Sequence, residues 1–73
     1  MSIDVFPIGT AVTIGDDIPG TIQAVLIVPG AGGSLVARYD VEWWNGRDRK
    51  SDYFNDCQFR TSADRSLRIG FGS

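Results

Sequence analysis

Between Leu35 and Trp44 the residues alternate. Leu35, Ala37, Tyr39, Val41 and Trp43 share one parity and are all apolar or aromatic; the other parity carries Arg38, Asp40 and Glu42, with Val36 and Trp44 at its ends. Successive side chains of a strand point to opposite faces, so this stretch reads as a strand with one buried face, whereas helical spacing would scatter the charges onto the apolar side. Asn45-Gly46 follows and tolerates positive φ, the usual mark of a hairpin turn. The returning strand ends near Phe54. The residues leave the register open. A two-residue loop sets Glu42 opposite Arg49 and Trp44 opposite Arg47. A three-residue loop at 44–46 sets Asp40 opposite Lys50 and Arg38 opposite Asp52, with Glu42 against Asp48. Exposed ion pairs contribute only about 0.2–1 kcal/mol, so charge cannot select between them; burial of Tyr53 or of Phe54 must.

The flanking segments suit the same architecture. Residues 1–7 form a lead-in in which Pro7 keeps Phe6 extended. Thr10–Ile14 is a first strand with Val12 and Ile14 inward, and 15–20 is a loop by composition. Thr21–Val28 is the second strand, with Ile22, Ala24, Leu26 and Val28 on one face and Gln23, Val25 and Ile27 on the other. Its second half is apolar on both faces and calls for cover on both, from the tail or from another subunit. Residues 29–34 are a Gly-rich hairpin loop. A phosphate cradle would open a helix and, in its P-loop form, supply a lysine; this run leads into a strand with no lysine. Asn55–Gln58 reads as one helical turn capped by Asn55 or Asp56, and Phe59–Thr61 as a last short strand. In the tail, Leu67, Ile69 and Phe71 alternate with Arg68, Gly70 and Gly72. That is strand periodicity, and it predicts a strand added to a neighbouring subunit or partner, against the alternative of a frayed terminus.

Trp43-Trp44-Asn45-Gly46, Phe54 and Phe59, together with Phe6, Ile8, Gly9, Val12, Ile14 and Pro19, resemble a pattern in small uncharacterised bacterial and phage proteins with an SH3-like barrel. In it an aromatic ends the fourth strand and a large apolar residue follows five positions later, as Phe54 and Phe59 do. The resemblance spans roughly residues 6–59 and departs in the long second strand, the Gly-rich loop and the tail. It implies a fold and no activity. The expected architecture is all-β: an SH3-like five-stranded barrel over residues 1–61 with a C-terminal extension over 62–73.

Chemistry is bounded mostly by what the chain lacks. Its 73 residues make one domain, which buries only about 60% of its unfolded surface and is stable by a narrow margin. A single Cys57 excludes an internal disulfide, and the absence of His removes Ser-His-Asp and Cys-His catalysis and weakens any zinc site. Cys57 therefore reads as a small buried hydrophobe. Asp16-Asp17 supplies too few oxygens for a hard cation. Asp40, Glu42 and Asp52 lie on a hairpin surface where carboxylates are solvated, so the chain is read as no enzyme, with no cofactor and no metal. A net charge of −2 argues against a general nucleic-acid binder. The start is neither basic nor apolar enough for a signal peptide, and no run is long enough to cross a bilayer, so the expected location is the cytoplasm, or a virion assembled there.

The function these features favour is a non-catalytic interaction or assembly module, one form of which is a minor structural component of a phage particle. Its partner is another protein or a second copy. The contact candidates are Trp44, Val25, Ile27, Leu67, Ile69 and Phe71. The alternative is a nucleic-acid-binding small barrel that uses Arg47, Arg49, Lys50 and Trp44, basic groups beside an aromatic. Trp44 and Tyr53 with Glu42 would also make a minimal aromatic cage for a methylated cation.

Overall fold

The computed structural model describes residues 2–70. Within them the chain is all-β: β1 (Ser2–Val5), β2 (Ala11–Ile14), β3 (Ile18–Pro29), β4 (Leu35–Asn45), β5 (Asp48–Asn55), β6 (Phe59–Arg60) and β7 (Leu67–Gly70), with one 3-10 turn at Ala31–Gly33. Five strands form an antiparallel sheet in the order β5-β4-β3-β2-β6; β1 and β7 form a second, two-stranded sheet.

The alternation over 35–44 works as the pattern requires. Tyr39 and Val41 are buried and Trp43 is half-buried, while Trp44 is exposed. Tyr39, Phe6 and Phe59 form a triangle of rings with centroids 5.5–5.7 Å apart. Tilted and edge-on rings at that spacing place positive ring edges against negative faces. The Tyr39 hydroxyl accepts a bond from the Phe6 backbone N–H at 3.3 Å, which removes a polar cost inside the core. Val5, Val12, Ile14, Ile22 and Val41 complete the buried cluster.

The hairpin register is neither of the two that the sequence left open. Asn45 faces Asp48 and Trp44 faces Arg49, so the two loop residues are Gly46 and Arg47. Gly46 takes φ +66° at the first central position, where a type II′ turn places glycine. Phe54 packs edge-on against Trp43 at 5.9 Å, and Tyr53 is left outside. Burial of Phe54 sets the parity, and the charges follow.

The β3 faces also differ from simple alternation. Ile22 faces Val41, but Ala24 faces Asp40, so Gln23 is the extra residue of a bulge. Past it the parity flips. Val25 faces Tyr39 and Ile27 faces Ala37, on the core side, and Ala24, Leu26 and Val28 turn to the outer face. Just before the bulge, Gly20 lets β3 bend closely over β4: a Cβ there would stand 2.8 Å from a Val41 methyl and 3.0 Å from the Glu42 carbonyl.

β3 and β4 outrun their neighbours. The β2 ladder stops at Ala11–Thr21 and its continuation ends where Ile22 bonds to Gly9 and Thr10; β5 reaches only to Arg38. The remainder is an arm closed by the Gly-rich loop, and it makes the molecule 46 × 22 × 17 Å, with a radius of gyration of 13.1 Å. A chain of this length packed evenly would have a radius near 11 Å, by the usual scaling of about 2.2·N^0.38 Å.

The lead-in and the tail are strands of one ribbon. Ile3 pairs with Ile69 and Val5 with Leu67 on one side, and Asp4 pairs with Arg68 on the other. β1 lies against β4, and Ile3 and Ile69 pack on the core, as Val25, Ile27 and Ala37 do. The tail's periodicity does denote a strand, and within the chain it pairs with β1. Phe71 and Gly72 lie outside the described residues. Arg65 anchors the connecting segment, 4.9 Å over the Phe6 ring and 2.6 Å from the Asp56 carboxylate.

Candidate interaction surface

The outer face of the long sheet is built by β3, β4 and β5. Thr21, Ala24, Leu26 and Val28 come from β3; Val36, Arg38, Asp40, Glu42 and Trp44 from β4; Arg49, Ser51, Tyr53 and Asn55 from β5. Four large apolar side chains stand exposed on it: Trp44 at 60%, Tyr53 at 46%, Leu26 at 45% and Val36 at 39%. They do not form one patch. Leu26, Val28 and Val36 lie together on the arm, Val28 directly opposite Val36. Trp44 sits at the far end beside the hairpin turn, and Tyr53 lies between, opposite Asp40.

The three basic residues of the hairpin are parted. Arg47 is in the turn. Arg49 points outward and crosses all three strands: its Nε donates to Glu42 Oε2 at 2.5 Å and its Nη2 to Gln23 Oε1 at 2.6 Å. Lys50 faces Trp43 and so lies on the opposite side of the sheet. They therefore do not make a basic face. The Arg49–Gln23 bond also gives the bulge a side-chain tie, which leaves the Gln23 amide nitrogen enclosed without a partner. In the cage reading, Glu42 is already held by Arg49. Trp44 and Tyr53 occupy ladder positions opposite Arg49 and Asp40, and no ring contact joins them. The arrangement lacks the convergent walls that hold a methylated cation.

Of the remaining contact candidates, Val25 and Ile27 face inward and pack against the core, contrary to the outer-face position expected of them, because of the Gln23 bulge. Ile69 is half-buried in the same way, and Leu67 is 42% exposed at the ribbon's end. The residues that sequence reasoning missed are Leu26 and Val36. The one local hint was Gln23, a lone polar residue in an otherwise apolar run.

Elsewhere the polar groups are mostly taken up. Asp17, at φ +63°, pairs with Arg60 at 3.2 Å, and the same guanidinium donates to the Gly15 carbonyl at 3.0 Å. Among the described residues no group of three or more His, Cys, Asp or Glu side chains could hold a metal ion. Cys57 is exposed, not buried as expected, because 55–58 is a plain hydrogen-bonded turn rather than a helical one. Gln58 N–H donates to the Asn55 carbonyl at 3.0 Å, and the Gln58 side chain accepts from Asn55 N–H at 2.8 Å. A shallow open cavity of about 300 Å³ lies beside it, lined by Thr13, Gly15, Cys57, Gln58, Phe59 and Arg60. On the ribbon, Arg68 clasps the Asp4 carboxylate with two bonds, 2.8 and 3.4 Å. The hydrogen bond from Arg68 holds the Asp4 carboxyl below its ordinary range against a small opposing effect of burial, and the same bond raises Arg68. No helix among the described residues is long and apolar enough to cross a membrane.

No family model matches the chain, and no curated protein or solved structure compared with it does either.

Proposed function

We propose that this chain is a non-catalytic interaction module, built on an SH3-like small barrel and used in protein assembly. The strand order supports the barrel reading: a three-stranded meander of β3, β4 and β5, with β2 on its far side and a short last strand returning beside β2. One observation carries the functional reading. The outer face of the sheet leaves Trp44, Tyr53, Leu26 and Val36 in water, although the same sheet carries the core on its other face. Single exposed apolar residues are ordinary, but Leu26, Val28 and Val36 lying together on the arm mark a contact surface. The partner is a protein, because the charges on that face are of both signs, Arg38 and Arg49 among Asp40 and Glu42, rather than gathered into one.

The reading is tested by solution mass and by oligonucleotide binding. An assembly module gives a defined complex above the monomer mass, alone or with a protein partner, and moderate salt leaves it intact. Binding to single-stranded oligonucleotides with affinity falling steeply as salt rises would replace this reading with the nucleic-acid one. That second reading would then rest on Arg47, Lys50 and Trp44, since Arg49 is occupied by Glu42 and Gln23.

A further inference from the structure

The distal half of β3 has a backbone edge that no described residue pairs. From Ala24 to Pro29 its ladder runs only to β4, because the β2 side ends at Ile22. Along such an edge alternate residues turn N–H and C=O outward, a ready template for another strand. Proteins normally blunt these edges with charge, proline, bulges or brevity. The other edges here are blunted by charge or brevity, and β4's own open stretch, Leu35–Ala37, is only three residues long. β5 carries Asp48, Arg49, Lys50 and Asp52; β6 is two residues long and includes Arg60; β1 and β7 carry Asp4 and Arg68. Between the bulge at Gln23 and Pro29, β3 reads Ala-Val-Leu-Ile-Val, with no charge at all. Leu26, in the middle of it, is 45% exposed, and Val36 on the neighbouring strand is 39% exposed.

We propose that this edge joins two copies of the chain: Ala24–Val28 pairs antiparallel with the same segment of a second copy about a twofold axis near Leu26. The inference rests on the assembly reading and specifies its partner. A second copy is the occupant that the chemistry selects. An antiparallel edge is complementary to itself, each outward N–H meeting the copy's C=O, as an isologous interface requires. Pairing about Leu26 sets Ala24 beside the copy's Val28 on the outer face and Val25 beside its Ile27 on the inner one. No like charges meet, because the segment has none. A strand of different sequence would find no charge by which to be chosen. The bulge at one end and Pro29, which has no N–H, at the other limit the ladder to this stretch. The two sheets become one continuous sheet, in which Leu26 meets its counterpart at the axis, Val28 meets the copy's Ala24, and Val36 stays one strand back from the seam.

Sedimentation equilibrium of the full chain over a concentration series tests this. The expected result is a dimer of twice 8.0 kDa, insensitive to salt. Leu26→Lys places a charge at the axis on a side chain that the monomer leaves half in water, and should weaken the dimer at least about tenfold. Trp44→Ala, on the same face but remote from the edge, should leave the mass unchanged. Amide exchange in Ala24–Val28 of the unaltered chain should slow as concentration rises; this measurement decides the matter if Leu26→Lys proves unfolded by circular dichroism. A monomer at every concentration overturns the proposal. So does a dimer that Leu26→Lys leaves intact, or one in which these amides exchange at a concentration-independent rate. A monomer that still holds another protein overturns the pairing alone and spares the assembly reading; salt-sensitive oligonucleotide binding by a monomer removes both.

Discussion

The body of the domain and its arm are made from the same two strands and differ in nearly everything else. Around Val41, β3 and β4 have neighbours on both sides and a filled inner face, and Tyr39, Ile22, Val5 and Val41 are at most 1% exposed. Twenty or so ångströms along, the same hairpin has neighbours on neither side. Val25, Ile27 and Ala37 on one face still pack toward the core, and nothing among the described residues covers the other. The difference shows where a small β domain keeps its stability and where it keeps its capacity to associate. A side chain in the body is held by many contacts at once, whereas one on the arm is held by its ladder partner and little more.

Substitutions of one kind placed in both regions should separate them. Tyr39→Ala removes the ring that touches both Phe6 and Phe59 and frees the Phe6 N–H. A buried aromatic truncated in this way costs about 3–5 kcal/mol. A chain of this length has about 4–11 kcal/mol in all, so urea denaturation should show at least about a quarter of its stability gone. Leu26→Ala on the arm should shift the urea midpoint far less; an equal loss would mean that the arm is as integral as the body.

Glycine substitutions sharpen the contrast. Gly20→Ala would press a methyl onto Val41 and the Glu42 backbone, neither of which can move, and overpacking of that kind costs about 1–3 kcal/mol. Gly30→Ala brings a methyl even nearer, 2.6 Å from a Val36 methyl, but Val36 is exposed and its side chain can turn away. Its cost in thermal denaturation should therefore be the smaller of the two. The reverse order would break the comparison.

Arg49→Ala should cost about 0.2–1 kcal/mol by chemical denaturation, the usual size of an exposed ion pair. Its clearer signature is faster amide exchange around Gln23, where the bulge loses its side-chain tie to β5. The smallest effect is that of acid on the ribbon. Arg68 keeps the Asp4 carboxyl below its ordinary value of 3.8, so the clasp contributes fully above that pH and is lost as pH falls through the lower folded value. NMR signals of Ile3 and Ile69 should shift in that acidic window while those of Tyr39 stay put. Asp4→Asn should abolish the step.

Much of the sheet was legible because a period of two is a local property. The strand at 35–45 announces itself through five apolar residues of one parity, and the tail's strand does the same through Leu67 and Ile69. The lead-in gave no such sign. Ser2–Val5 becomes a strand only because Leu67–Gly70 lies beside it, a contact made across more than sixty residues of chain. The outer face was legible at Trp44, whereas Val25 and Ile27 turn to the face opposite the one alternation gave them. Alternation counts residues, and the bulge adds one that only the lone polar Gln23 marks. The turn shows the same limit at smaller scale: Asn45-Gly46 announces a hairpin, but burial of Phe54 against Trp43 moves the loop to Gly46-Arg47.

The amino-acid order alone determined that this chain is antiparallel β, that Tyr39, Val41 and Phe59 belong inside, and that its chemistry excludes His-dependent catalysis. Those are statements about neighbours in sequence and about side-chain types. The tertiary structure decided which face each β3 residue takes, where the hairpin closes, that the two ends of the chain pair with each other, and that an uncharged strand edge is left open on the arm. Each of those depends on free energies summed over residues far apart in the chain, where burying one large side chain outweighs several exposed charge pairs.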